Sequence, residues 1–440
     1  MAVAHHNPII PEFAPDPSIC FIDGIFYLTI PTVSVPSDYI YCPVGRWHSN
    51  GWDWGLYAPT IRHHNGITYI ICTNVIHGPS NALGDERNEQ FIIHTTDICS
   101  GSWSDPIFFG FPGIDPSLLF DDDGRVYVQL CKTWPEFHIY NGEIDITTGV
   151  MIVEPTLIWK GCKKGYTEGP HIYKKDGWYY LLCAEGSTFR YHMLSMARSR
   201  NIWGPYESYD MNPLYTASGT TQYVQNTEHG DLFQDQNGQW WVVMLGIRIK
   251  EGRSIMGQET FLTAVNWPCD GWPKIKSITS DGNLGTKFKE CQDSLAVTPW
   301  VYLRDAKLDQ YHIHDKCITI QADPVEFTSP DESITFDGQR QRRLEGTATV
   351  TVYRPQHSTS SFLQRETQVV EFQDFISFKI SYTETSLQFF FRVDEADWHG
   401  LATVDTAIMT DYDFTGPVIG IFAIEDDVAV EFGDLEVDAV

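Results

Sequence analysis

"DPSLLFDDDGRVYVQL" occupies residues 115–130, and its reading decides the fold. The Asp-Pro pair keeps the chain out of a helix. Ser-Leu-Leu-Phe reads as a short buried strand, Asp-Asp-Asp-Gly as a polar turn closing on glycine, and Val-Tyr-Val-Gln-Leu as a second strand. The same order recurs in "DPSICFIDGIFYL" (16–28), "APTIRHHNGITYIICT" (58–73), "EGPHIYKKDGWYYLLCA" (168–184) and "HGDLFQDQNGQWWVVML" (229–245). The turn glycines Gly24, Gly66, Gly124, Gly177 and Gly238 suit the positive φ of tight hairpins. Five strand-turn-strand units without helical periodicity predict an all-β fold, a five-bladed β-propeller over residues 1–285. Asp16, Ala58, Asp115, Glu168 and His229, each read as the first residue of its unit, would then meet on one rim.

Beyond "NWPCDGWPKIK" (266–276) the pattern stops. Alternating runs such as "TATVTVY" (347–353), "FISFKISYT" (375–383) and "LQFFFRV" (387–393) predict a C-terminal β-sandwich domain over 294–440. With 30 Lys+Arg against 58 Asp+Glu the net charge is −28, which argues against nucleic acid or an anionic membrane surface as partner. Aromatics at 14% fit an all-β protein or one that stacks on sugar rings. No apolar run is long enough to cross a membrane as a helix. "MAVAHHNPIIPEF" (1–13) does not read as a leader, so a cytoplasmic protein is expected; a leader removed before residue 1 would instead place it outside the cell. Cys72, Cys131 and Cys183 lie in strand-like runs and read as buried thiols.

Three carboxylates on one rim suit glycoside hydrolysis. One carboxyl must stay protonated to give its proton to the leaving oxygen, and another must be ionised to activate water. A third beside the acid raises the acid's pKa, because like charges disfavour ionisation.

The ordered motifs "APDPSI", "DPSLLFDDDGRVYV", "TEGPHIYKKDGWYYLL" and "EHGDLFQDQNGQWWVV" resemble the blade motifs of glycoside hydrolase family 43. That resemblance implies a five-bladed propeller, an inverting mechanism and action mostly on xylan and arabinan. It runs from residue 7 to about 275, and more loosely through "FDGQRQRR" (336–343) and "DFTGPVIGIFAIEDD" (413–427), the layout of the β-xylosidase branch. It implies Asp16 as general base, Glu168 as general acid, and Asp115 as the group that raises and orients the acid. Arg248 matches the substrate-binding arginine, His229 the channel histidine, and Thr188 another pocket residue.

Some relatives hold calcium near that histidine, so an ion near His229 is conceivable although no cofactor is required. "NGWDWGLYAPT" (50–60) supplies an aromatic wall through Trp54 and Tyr57, beside Ala58. Here the chain departs from the β-xylosidases, which carry Trp where Tyr57 stands and an early-loop Phe where Val33 is the nearest match. Phe414 is the candidate from the C-terminal domain. The expected function is an exo-β-1,4-xylosidase acting on xylo-oligosaccharides. An α-L-arabinofuranosidase or an enzyme with both activities is the alternative, and a non-catalytic glycan-binding propeller a more distant one. The resemblance also allows a homo-oligomer.

Overall fold

The computed structural model describes residues 3–30, 55–76, 87–133, 136–162, 165–187, 190–279, 281–284, 300–302, 306–314, 317–327, 329, 332–353, 374–410, 415–425 and 428–439. These form two compact units, one ending at Val297 and the other comprising Thr298–Val440 together with Lys250–Met256.

The first unit holds five consecutive antiparallel sheets, each built from strands in chain order, and a further two-stranded sheet in which Val3–His6 pairs with Asp281–Leu284. The first sheet is the hairpin Ser18–Ile22 and Ile25–Thr29. The second joins Gly55–His64, Ile67–Ile76, Arg87–Thr95 and Ile107–Phe109. Ile114–Phe120, Val126–Lys132, His138–Ile144 and Met151–Trp159 make the third. Glu168–Lys175, Trp178–Ser187, Arg190–Ser199 and Glu207–Ser208 make the fourth. The fifth is Val224–Gln234, Trp240–Arg248, Gln258–Asn266 and Lys274–Ile275. The first strand of each sheet packs against the first strand of the next, and that of the fifth returns to the first, so the five strands close a ring. Residues near the start of the chain complete the closure: Asn7 donates to Leu262 and Thr279, and Ala14 N–H to Gln258.

Strand alternation explains why the sheets stack face to face. Leu181 and Cys183 turn toward the third sheet, where they meet Tyr127, Cys131 and Ile139; Tyr180 and Leu182 turn the other way, onto Val242, Met244 and Val265 of the fifth. Trp241 and Val243 of the fifth sheet in turn cover Ile19 and Phe26 of the first. Burying each such side chain is worth about 1.5–3 kcal/mol. Cys72, Cys131 and Cys183 are buried thiols outside any disulfide, as the sequence implied.

The middle of the ring is polar. Arg62, from the second sheet, sends Nη1 to Asp231 Oδ2 at 2.7 Å and Nη2 to His171 Nδ1 at 2.9 Å. Ser18 Oγ donates to Asp231 Oδ2 at 2.6 Å, Tyr173 OH to its Oδ1 at 2.7 Å, and Ser117 Oγ lies 3.0 Å from His171 Nδ1. Ser18, Arg62, Ser117, His171 and Asp231 come from five different first strands. Burial alone would lift Asp231, yet Arg62 holds it down to about 2, while burial pushes His171 to about 3 and keeps it neutral.

In the second unit, Trp300–Tyr302, Phe336–Arg340 and Val418–Phe422 form one sheet and seven further strands another. Tyr311, Ile320, Val352 and Phe432 share a core with Ile421. Inside it Asp337 is fully buried, and neither carboxyl oxygen has a well-aligned hydrogen-bond partner among the described residues. Burial lifts it to about 7.

Two outcomes follow for stability. Arg62→Met should cost about 3–5 kcal/mol in denaturant unfolding, because it leaves Asp231 charged and unpaired; a loss below about 1 kcal/mol would contradict the central role of this pair. When folded, Asp337 holds its proton up to about pH 7, whereas in the unfolded chain it ionises in the ordinary carboxylate range. Its contribution is therefore complete below that range and is lost as pH rises through about 7. The melting temperature of the second unit should fall over that interval in the native protein, and Asp337→Asn should flatten the dependence.

Candidate active site

At the mouth of each first strand the backbone makes the same unusual turn. Asp16, Ala58, Asp115, Gly169 and His229 have φ of 46°, 36°, 56°, 55° and 40°. Pairing with the second strand slips at this point in the second to fifth sheets, as a β-bulge requires. Left-handed backbone is uncommon for residues other than glycine, and its recurrence at one level of five sheets marks a shared device that re-aims side chains.

One sequence expectation needs correction. Glu168 does not occupy the register of Asp16 and Asp115; Gly169 does, and Glu168 stands one residue earlier. A Cβ at Gly169 would meet the ring of His229 at 3.1–3.2 Å, so a side chain there would require that ring to give way by a few tenths of an ångström, on a left-handed backbone that already favours glycine.

The rim groups are electrostatically joined. His229 Nδ1 lies 2.9 Å from Asp16 Oδ1. Burial would push His229 down, but Asp16, Asp115 and Glu228 carry it up to about 10, so it is an imidazolium. Asp115 is buried and accepts the Gly169 N–H at 3.1 Å. Burial pushes it up to about 6, with Asp16 adding to the rise and His229 opposing it. Glu168 is held well above the usual carboxylate range, first by burial, then by Glu228, Asp115 and Asp16, against His229. Asp16, Asp115, Glu168 and His229 thus act on one another although the sequence separates them widely.

Arg248 lies at the end of the second strand of the fifth sheet, beside the start of the first, where Val224 pairs with it. Its Nε and Nη2 each donate to buried Glu259 at 2.7 Å, which fixes the guanidinium plane. Tyr57 is half-buried next to buried Ala58. Val33, Trp54, Thr188 and Phe414 lie outside the described residues.

Two residues escaped the sequence reading. Glu228 holds in the fifth sheet the level that Glu168 holds in the fourth, and His192 lies near the start of the fourth sheet's third strand. Both are buried, at 2% and 1% exposure, and one oxygen of each glutamate and one His192 nitrogen lie within 4.8 Å of one another. Burial holds Glu228 well above the carboxylate range and takes His192 down to about 3. Burial thus favours the uncharged form of both groups. The signal was present: "EHG" at 228–230 repeats the level of "EGP" at 168–170.

Known proteins show the same arrangement of chain. A "Xylosidase/arabinosidase" of Butyrivibrio fibrisolvens is 39% identical over 310 residues, 62% of this chain and 56% of that protein. The chain thus spans little more than half of that relative's length. The "Non-reducing end alpha-L-arabinofuranosidase BoGH43B" of Bacteroides ovatus is 30% identical over 79% of this chain and 70% of its own. Among solved structures, "Bacteroides ovatus Xyloglucan PUL GH43B" superposes with a TM-score of 0.83 at 26% identity, covering 99% of this chain and 100% of that one. Residues 5–273 match the profile described as "Glycosyl hydrolases family 43". The chain belongs to that family.

Proposed function

We propose that this chain is an inverting, exo-acting glycoside hydrolase that releases xylose from β-1,4-xylo-oligosaccharides, with its five first sheets as propeller blades (residues 1–285) and its second unit as a β-sandwich (294–440). The observation that carries the reading is the rim itself, where Glu168 is kept protonated beside Asp115 while Asp16 faces a cationic histidine. Asp16 takes a proton from water, whose oxygen attacks the anomeric carbon. Glu168 gives its proton to the glycosidic oxygen as that bond breaks. The products are a sugar of inverted configuration and a free alcohol. Asp115 sits between these roles: its carboxyl raises Glu168, and the Gly169 N–H fixes its orientation. Arg248, splayed by Glu259, offers its remaining donors to sugar hydroxyls.

The second reading, an α-L-arabinofuranosidase or an enzyme with both activities, is favoured by the names of the Butyrivibrio and Bacteroides relatives. Tyr57 is the residue in the described part of the wall through which it would act. The carboxylates serve both sugars alike. A non-catalytic glycan-binding role has less support, because a binding surface gains nothing from a half-buried carboxyl held well above the usual carboxylate range.

We also take the reaction to need no cofactor. A calcium ion at His229 would compete with Asp16 for Nδ1 on a ring that carries a proton, and calcium prefers several oxygen ligands.

Hydrolysis of para-nitrophenyl β-D-xylopyranoside and α-L-arabinofuranoside separates the readings: the proposal expects preference for the xyloside, with Asp16→Asn at least about 100-fold slower on either sugar. Preference for the furanoside would transfer the assignment to the second reading; an Asp16→Asn enzyme as fast as the native one would remove the base. Rates in EDTA should equal rates in added calcium, and restoration of a lost activity by calcium would overturn the metal-free reading.

A further inference from the structure

The mouths of the fourth and fifth first strands differ from the other three. At the level of Glu168 the first, second and third sheets carry Pro15, Tyr57 and Ile114, whereas the fifth carries Glu228. A second carboxyl thus stands beside the acid, in the adjacent sheet, with almost no access to water. Its Oε1 lies 2.5 Å from His192 Nδ1. Glu228 Oε2 and both ring nitrogens of His192 have no well-aligned hydrogen-bond partner among the described residues. Leaving such atoms unsatisfied in a protein interior is costly unless they have work to do.

We propose that Glu228, backed by His192, is a positioning residue for the acid: it shares with Glu168 the proton the reaction needs and so sets the upper pH limit of activity. This rests on the reading of Glu168 as the acid. The charge inventory supports it. Glu168 and Glu228 are faced by Asp115, Asp16, His229 and His192, and Glu168 also by the Cys131 thiol. The His229 cation is matched by Asp16 across 2.9 Å. That leaves Asp115, Glu168 and Glu228 crowded together with a neutral His192, and like charges so close cannot all ionise. Of the two carboxyl neighbours, Glu228 weighs more on Glu168 than Asp115 does. Asp115, which the sequence singled out for this work, therefore shares it.

The test is the pH profile of kcat/KM, in EDTA, for the native enzyme, Glu168→Ala, Glu228→Gln and Glu228→Asp. Each is assayed on a para-nitrophenyl glycoside and on an alkyl glycoside of the same sugar, whose leaving group needs the acid. Glu228→Gln should move the basic limb down by about one pH unit, so that activity above the limb falls about tenfold. The acidic limb should stay in place, and the loss should be greater on the alkyl glycoside. A profile superimposable on the native one, or an equal loss at every pH and on both substrates, would overturn the proposal. Glu168→Ala hydrolysing the alkyl glycoside at the native rate would instead bring down the acid assignment itself. If Glu228→Gln does not fold, Glu228→Asp must show the same displacement of the basic limb in smaller measure, and an unmoved limb there would equally overturn it.

Discussion

The ring of five first strands depends on one buried ion pair. Arg62 and Asp231 arise from the second and fifth sheets, and Ser18, Ser117 and His171 bind the same two groups from the remaining three. A strand mouth can approach its neighbours only if the polar atoms of the middle are satisfied, because water is excluded there and an unpaired charge would cost several kcal/mol. Guanidinium is suited to the task, since its donors radiate in a plane and reach several acceptors at once. The sheets supply the apolar energy between their faces, and Arg62 supplies the geometry at the centre.

The rim of strand mouths is the next level of the same construction. In four of the sheets the channel residues Ser18, Ser117, His171 and Asp231 stand two positions after the left-handed residues Asp16, Asp115, Gly169 and His229. Residues two apart on a strand share a face, but the bulge breaks that alternation and re-aims the mouth residue. A single backbone device thus places a carboxylate, a cationic imidazole or a glycine according to the residue the sequence writes there. The strain of five left-handed residues is borne by sheets whose faces are packed by Leu181, Val242 and their neighbours.

Much of this was legible in the sequence because it is local. The Asp-Pro mouths, the turn glycines and the alternating apolar runs each report their own strand, and Asp16, Asp115, Glu168 and His229 could be read from them. Arg62 could not be read so directly, since in "PTIRHH" it resembles any charge near a turn; counting by twos from Thr60 would have turned it toward the channel. Glu228 was obscured by its neighbour His229, which filled the place expected for a rim residue. His192 has no local signature at all, because its meaning comes from a strand in another sheet. Glu168 is offset by one residue because a polar or small residue beside Pro or Gly marks each unit's start in the sequence, whereas the backbone aligns the units at the left-handed position.

The central claim is that Asp16 and Glu168 act from opposite sides of the scissile bond, with water as the only nucleophile. Proton NMR of the first-formed sugar during hydrolysis, taken before mutarotation, tests this most directly. The account predicts the anomer opposite in configuration to the substrate. Release of the same anomer would mean a covalent glycosyl-enzyme, and would contradict it.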